Sequence, residues 1–171
     1  MLKKNISEYK KNIFSELKNS WAILTAGDKK TKYNSMTISW GGIGVIWGKN
    51  VCYVFVRQSR FTKDFIDNSD SVTISFLNDD YKKAKEILGE ISGRDCDKMA
   101  LAGLNYTYDP DFDGSYIREA DYCFKCKKLY CVDMPYESLP KEIINTYYPD
   151  GDMHTLYVCE IKQFLVKEEL Y

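Results

Sequence analysis

The chain of 171 residues is 44% hydrophobic, and its 24 basic and 25 acidic side chains leave a net charge of −1. This length fits one domain covering residues 1–171, with a sizeable core. The balanced charge excludes a global attraction to nucleic acid. The lack of an apolar run of about 20 residues argues against a membrane-spanning protein.

The first part of the chain predicts a helix followed by a hairpin. Apolar residues recur at helical spacing over residues 6–18. Trp21–Ala26 predicts a buried strand, and Tyr33–Trp40 its returning partner across the polar turn Gly27–Lys32. Gly41–Gly44 lacks the G-x-G-x-x-G spacing of a dinucleotide site. It therefore predicts a loop in which glycine lets the backbone turn or approach a ligand closely.

The middle of the chain predicts strands separated by short helices. Val51–Val56 is rich in β-branched and aromatic residues, which favours a strand. Thr62–Asn68 predicts a short helix and Val72–Leu77 another strand, so the three indicate a crossover of the βαβ type. Asp79–Leu88 then predicts a helix that ends at Gly89.

The last part of the chain adds two short helices and two strands. The helices are predicted at Asp97–Ala102 and Pro140–Tyr147, and the strands at Tyr122–Val132 and Leu156–Val166. Residues 106–115 are predicted to be irregular. The sum is a mainly β domain of the β-rich α+β kind. We expect a closed or nearly closed barrel with short peripheral helices, rather than an alternating α/β sheet.

Two arginines and two hydroxyls cluster just before the predicted helix at Thr62. They are Arg57, Ser59, Arg60 and Thr62. Arginine offers a planar fork of donors suited to phosphate, and the free N–H groups of a helix start would point at the same place. The alternative is a capped helix with solvated arginines, and the spacing alone leaves both open.

The strand before this cluster presents two kinds of face. Alternation places Asn34, Met36, Ile38 and Trp40 on one face and Ser35, Thr37 and Ser39 on the other. A planar heterocycle needs an apolar wall and hydrogen-bonding groups at its polar edge, and this segment has both. The alternative is an ordinary half-buried strand. Together the two stretches can hold a flat ring and a phosphate, the two ends of flavin mononucleotide (FMN).

These residues resemble the flavin reductase-like proteins with an FMN-binding split barrel, a group that includes flavoredoxin. The family pattern runs N-x-M-T-x-S-W and then R-x-S-R-x-T-x-x-x-I. Its matches are Asn34, Met36, Thr37, Ser39, Trp40, Arg57, Ser59, Arg60, Thr62 and Ile66. Ser92–Lys98 looks like the S-G-R-x-x-D-K segment, Cys126 matches a cysteine often found there, and Asp150–Tyr157 resembles a G-D-H-T-like start of a late strand. The pattern departs at Gln58, where proline is common, and at Met153, which precedes His154.

The resemblance implies a homodimer of split barrels with FMN near the subunit interface. It implies that the ring and ribityl chain contact Asn34, Ser35, Met36, Thr37, Ser39 and Trp40. Ser59, Arg60 and Thr62 would hold the phosphate, beside Arg57 of the same motif. Lys98 and the Ser92–Gly93 backbone would complete the site, from the same chain or from its partner.

The implied activity is that of an FMN-dependent oxidoreductase. NADH or NADPH would pass hydride to the flavin, and the electrons would go on to an acceptor that the sequence does not name. An electron-transfer protein of the flavoredoxin type, reduced by a redox protein and without NAD(P)H activity of its own, is the alternative. A non-flavin interaction module is a third class, and the intact cluster at Arg57–Thr62 argues against it.

His154 is the only histidine, and two interpretations of it stay open. It can lie beside the flavin as a candidate catalytic residue, or it can be a satisfied polar residue at the start of a strand. No G-x-S-x-G nucleophile elbow is present, which argues against a catalytic triad.

The cysteines indicate thiols rather than a metal site. The segment Met1–Ile6 has no apolar core of the kind found in secretory signals, so we expect a cytoplasmic protein with free thiols. Cys123, Cys126 and Cys131 offer one C-x-x-C pair without the second pair that structural zinc usually needs. On a strand, Cys123 and Cys126 would also point to opposite faces. We expect no metal, and a redox disulfide remains an alternative to buried thiols.

Overall fold

Most of the strands form one antiparallel sheet. The computed structural model of the protein describes residues 1–30 and 32–168. Its strands, in chain order, are β1 (Leu2–Lys4), β2 (Ala22–Asp28), β3 (Lys32–Ile38), β4 (Gly41–Ile46), β5 (Lys49–Arg57), β6 (Ser71–Phe76), β7 (Tyr106–Asp109), β8 (Gly114–Ile117), β9 (Tyr122–Asp133) and β10 (His154–Val166). The α-helices are α1 (Ile13–Ser15), α2 (Phe61–Asp67), α3 (Lys82–Glu90), α4 (Lys98–Ala102) and α5 (Lys141–Tyr147).

The main sheet encloses the principal core. Its strands pair in the order β3-β2-β6-β9-β10-β5-β4, with β1 beside β10, and β7 and β8 form a separate hairpin. Met36 and Ile38 from one end of this order share a buried cluster with Cys52 and Val54 near the other end. The sheet therefore curls around a single core, which confirms the predicted mainly β fold with short helices.

An aromatic group fills the interior of the sheet. The ring of the fully buried Phe124 lies between 5.3 and 6.3 Å, centroid to centroid, from the rings of Tyr9, Phe76, Tyr122 and Phe164. Such edge-to-face and tilted contacts add to the burial of large apolar side chains. This group joins the amino-terminal segment to strands β6, β9 and β10.

A smaller apolar cluster fixes α3 and α4 against the outside of the sheet. Ile23 on β2 packs there with Leu88 of α3 and Met99 of α4. A Cβ on Gly89 would lie 3.4 Å from Cβ of Thr37, an ordinary contact distance, so α3 packs directly on β3 here. The predicted end of this helix at Gly89 is wrong by one residue, because α3 continues to Glu90.

Two predictions for the first 46 residues are wrong. Residues 6–18 are not one helix, because Asn12 caps a new start by accepting a hydrogen bond from the Phe14 N–H. Instead a 3₁₀ turn at Ile6–Glu8 precedes α1, and α1 continues into a π-helical turn at Glu16–Ser20. The predicted glycine loop is strand β4, in which Gly41 is needed because a Cβ there would lie 2.3 Å from the Tyr53 carbonyl oxygen.

Two further predictions fail in the second half of the sheet. Strands β5 and β6 do not form a βαβ unit, because β10 and β9 lie between them and all of these pairings are antiparallel. Residues 106–115 are not irregular, since they contain β7 and the start of β8. An ion pair between Asp109 and Lys125 joins this hairpin to β9.

The cysteines lie at both buried and exposed positions. All six cysteines are free, and Cys123 and Cys126 are buried in β9. The described part of the chain contains no group of three or more His, Cys, Asp or Glu side chains arranged to hold a metal. Within the same residues, no helix is long and apolar enough to cross a membrane.

Candidate functional site

A cavity of about 260 Å³ lies where the end of β3 meets β5 and the start of β10. The lining residues are Met36, Thr37, Ile38, Ser39, Trp40, Phe55, Arg57, Arg60 and His154. Val54 and Val56 point into the core, so Phe55 and Arg57 face outward on the same strand. His154 is the register partner of Arg57 across β5 and β10. The sheet thus brings together two segments about a hundred residues apart.

Two aromatic rings, those of Trp40 and His154, form one wall of the cavity. The Trp40 ring lies 4.8 Å from the His154 ring at an interplanar angle of 32°, and 5.3 Å from the Tyr147 ring. Met36 and Ile38 direct their side chains into the core, so the cavity meets mainly the backbone of this part of β3. This combination of an aromatic surface and backbone polar groups fits one face and one edge of a planar heterocycle.

His154 is a neutral side chain at neutral pH. It is buried, and its Nδ1 lies 2.8 Å from the Tyr148 hydroxyl oxygen. Burial lowers the pKa of His154 to about 4, the nearby Arg57 lowers it as well, and Asp152 acts in the opposite direction. The imidazole can therefore offer a hydrogen bond to the cavity without adding a charge.

Arg60 places a half-buried cation at one end of the cavity. It is the N-cap residue of α2, and its guanidinium donates to the Gly89 carbonyl oxygen at 2.5 Å. Burial lowers its pKa, and the neighbouring Arg57 does so too. A guanidinium stays protonated in proteins, so Arg60 offers a fixed positive charge for an anion.

A second cavity of about 600 Å³ lies beside α2. Its lining includes Tyr33, Asn34, Phe61, Phe65, Gly93, Arg94, Lys98 and Tyr106. Asn34 donates from Nδ2 to the Thr62 hydroxyl oxygen at 2.8 Å. A Cβ on Gly93 would lie 2.5 Å from Oδ1 of Asn34, so only glycine lets this segment approach the amide.

Lys98 brings a buried ammonium to this second cavity. Its Nζ donates to the carbonyl oxygens of Leu88 and Ile91, both at 3.3 Å. Burial, and to a smaller extent the charge of Arg60, lowers the pKa of Lys98 to about 8. The two cations are thus close enough to repel one another, and an anion between them would relieve that repulsion.

Arg57 and Ser59 are engaged by the chain itself. Ser59 donates to the Asp152 carboxylate from its backbone N–H at 3.1 Å and from its hydroxyl at 2.7 Å. Arg57 donates to the carbonyl oxygens of Asp152 and Tyr147 at 2.8 and 2.9 Å. The motif is intact, but in this structure these donors hold the 147–152 segment.

Four of the sequence-predicted residues line neither cavity: Ser35, Ser59, Thr62 and Ser92. The Ser35 hydroxyl is buried on the opposite side of β3, 2.7 Å from the Thr25 hydroxyl and 3.0 Å from that of Tyr106. The Ser92 hydroxyl accepts a hydrogen bond from the Arg94 N–H and lines neither cavity.

Some residues of the site were missed by the sequence reasoning. Phe55 carries a usable signal, because it alternates with core valines on a strand that ends at Arg57. Tyr147, Tyr148 and Asp152 come from α5 and the loop after it, and nothing in their spacing points to β3. Only the fold brings them to the cavity wall.

Comparison with known proteins identifies the class to which this split barrel belongs. The family model described as the flavin reductase like domain matches residues 14–171. The chain therefore belongs to the flavin reductase-like family. No curated protein matches the sequence.

Solved structures share the fold at low sequence identity. The flavoredoxin of Methanosarcina acetivorans is similar with a TM-score of 0.70 at 20% identity, over 89% of this chain and 70% of that one. The flavoredoxin of Desulfovibrio vulgaris (Miyazaki F) gives 0.69 at 20%, over 98% and 78%. Nitrilotriacetate monooxygenase component B from Bacillus cereus gives 0.70 at 17%, over 100% and 84%. At such identities the likeness concerns the fold alone.

Proposed function

We propose that this protein binds FMN in the cavity at the end of β3 and works as an oxidoreductase of the flavin reductase type. The observation that carries the proposal is the occurrence, in a chain of this family, of an aromatic cavity lined by Trp40, His154 and the half-buried Arg60, with the buried Lys98 lining a second cavity. Bound flavin supplies the redox chemistry, and the protein binds it, orients it and limits its access to water.

The ring end of the site is assigned to Trp40, His154 and the backbone of Thr37 and Ser39. The Trp40 ring packs on the His154 ring at this tilt, and both rings line the cavity. The cavity volume of about 260 Å³ suits a fused ring better than a whole nucleotide. The remainder of the cofactor must therefore extend beyond this cavity, toward the cations.

The phosphate end is assigned to Arg60, Thr62 and Lys98. The Thr62 hydroxyl accepts from Asn34, so its own hydrogen is left to donate to an anion. Lys98 uses two carbonyl oxygens, and an ammonium has three donors. Ser59 joins this set only when its contact with Asp152 is broken. Charge-assisted hydrogen bonds of this kind are the strong ones.

The two candidate functions differ in the source of their electrons. One candidate takes hydride from NADH or NADPH, as the name of the NADH:FAD oxidoreductase of Streptomyces globisporus indicates for that neighbour. The other receives electrons from a redox protein, and the flavoredoxins among the neighbours favour it as the second candidate. We place the NAD(P)H-dependent reductase first, because Trp40 lines the cavity and is partly exposed, which gives a second planar molecule an aromatic ring to contact.

An anaerobic titration distinguishes these functions. The protein is loaded with FMN, and NADH, NADPH and finally dithionite are added while the visible flavin absorbance is followed. Bleaching by a nicotinamide at catalytic rates supports the reductase. Bleaching by dithionite alone contradicts it and favours the electron carrier.

We further propose that a second copy of the chain covers the sheet surface next to the cavity. Val45, Trp47, Tyr130 and Val132 are 40–70% exposed there, and the Trp47 and Tyr130 rings lie 6.4 Å apart. Monomeric proteins rarely expose large apolar patches. Trp40 and Tyr147, also exposed, continue this surface to the cavity, so a dimer would bring FMN near the interface.

Replacing Trp47 with aspartate is expected to convert the dimer to a monomer, because the substitution buries an unpaired charge at the interface. Light scattering should then give a mass near 19.9 kDa instead of twice that value. Phe14→Asp is the matched control, since Phe14 is an exposed aromatic residue outside this surface. A wild-type protein that is monomeric at working concentrations contradicts the proposal.

We also propose a cytoplasmic location, supported by the six free cysteines.

A further inference from the structure

The Asp152 carboxylate, beside the cavity, accepts hydrogen bonds from Ser59, which follows β5. Each oxygen of Asp152 accepts from Ser59, one from the backbone N–H at 3.1 Å and the other from the hydroxyl at 2.7 Å. The Arg57 guanidinium lies 3.9 Å from the same carboxylate. Asp152 thus occupies a pair of donors that would otherwise be available to an anion.

These bonds belong to a wider contact between the Tyr147–His154 segment and the end of β5. The Gln58 N–H donates to the Met153 carbonyl oxygen at 3.0 Å, and Arg57 holds the carbonyl oxygens of Tyr147 and Asp152. The Arg57 guanidinium also lies over the Tyr148 ring, 5.3 Å from its centroid. The Asp152 carboxylate is the charged partner in this contact.

The Tyr147–His154 segment also sets the position of the His154 imidazole in the cavity. Tyr148 binds Nδ1 of His154 through its hydroxyl, and Tyr147 packs edge-on against Trp40. A shift of this segment would therefore move both members of the aromatic wall.

We propose that Asp152 is a positioning residue of the cavity: by binding Ser59 and Arg57 it fixes the Tyr147–His154 segment, and with it the wall formed by His154 and Trp40. The inference deepens the proposed function and rests on it, because the importance of the wall depends on a flavin ring lying there. Asp152 does not touch the ring in this assignment. It acts through His154 and Arg57.

The single histidine makes this inference measurable without any flavin. The groups that face His154 are Arg57, Asp152 and Tyr148, with Trp40 packed on its ring. If Asp152 supplied only a local negative charge, its loss would lower the already low pKa of His154 further. If Asp152 fixes the segment, its loss admits water to the imidazole, and the pKa rises toward the ordinary value of about 6.5. The two roles therefore predict opposite directions.

The experiment is an NMR titration of the His154 imidazole in flavin-free protein, comparing wild type with Asp152→Asn. We expect a pKa of about 4 in the wild type and a clearly higher value in the variant. Asp152→Glu should restore the wild-type behaviour, and Ser59→Ala should shift the pKa upward by less. Asp150→Asn removes the same charge from an exposed position in the same loop and should leave the titration unchanged. An unchanged or lower pKa in Asp152→Asn overturns the inference.

Flavin affinity gives the second readout. Because the wall is disturbed, Asp152→Asn should weaken riboflavin binding about tenfold, and FMN binding by that factor or less, since the freed Ser59 donors become available to the phosphate. A loss confined to FMN overturns the positioning role. Failure of the wild type to bind either flavin contradicts the proposed function instead, and the histidine titration then still decides whether Asp152 fixes the segment.

Discussion

Replacing Arg60 with alanine is expected to weaken FMN binding by about tenfold to a hundredfold and to leave riboflavin binding nearly unchanged. Arg60 is a half-buried cation that lines the smaller cavity, and a hydrogen bond to a charged group contributes about 1.5–3 kcal/mol. Riboflavin lacks the phosphate, so it does not use this contact. Dissociation constants from quenching of flavin fluorescence test the prediction directly.

Arg60→Lys is the matched control for this substitution. Lysine keeps the positive charge but loses the planar fork and the contact with the Gly89 carbonyl oxygen. We expect an affinity for FMN between those of the wild type and the alanine variant. Equal weakening of FMN and riboflavin would show that Arg60 supports the cavity as a whole, and would contradict its assignment to the phosphate.

Phe124→Ala is expected to reduce the free energy of unfolding by about 3–5 kcal/mol, because it removes a large side chain from a packed interior. Phe124 is fully buried and contacts four aromatic rings, so the surrounding side chains cannot easily close the space. Denaturant unfolding followed by circular dichroism measures the change.

The control for the core substitution is Phe14→Ala. Phe14 is 80% exposed, and truncating it should change stability by no more than about 0.5 kcal/mol. A loss below about 1.5 kcal/mol for Phe124→Ala would mean that the aromatic group is not the centre of the core.

The fold class could be predicted from the sequence because β-branched and aromatic runs mark the buried strands. Val51–Val56 and Tyr122–Val132 lie inside β5 and β9. The wrong predictions arise where the conformation or pairing of a segment depends on residues that are distant in sequence. Gly41 looks like a loop residue until the Tyr53 carbonyl oxygen is placed against it. The order of strands, which excludes a βαβ unit, depends on β9 and β10, far along the chain.

The candidate site could be predicted in part, through motifs whose residues meet in space. Asn34, Thr62 and Gly93 do come together, as does Lys98 with Arg60. The motif did not indicate that Ser59 and Arg57 bind Asp152, because that contact depends on the path of the loop after α5. Ser35 faces away for a simpler reason, since alternation along β3 directs it toward Thr25.

The central claim is that this chain holds FMN, and equilibrium dialysis against FMN followed by an absorbance measurement of the retained flavin tests it most directly. We expect about one FMN per chain, with visible bands shifted relative to free flavin because the ring lies against Trp40 and His154. If a folded wild-type protein retained no flavin, so that the visible absorbance was the same on both sides of the dialysis membrane, the account would be contradicted.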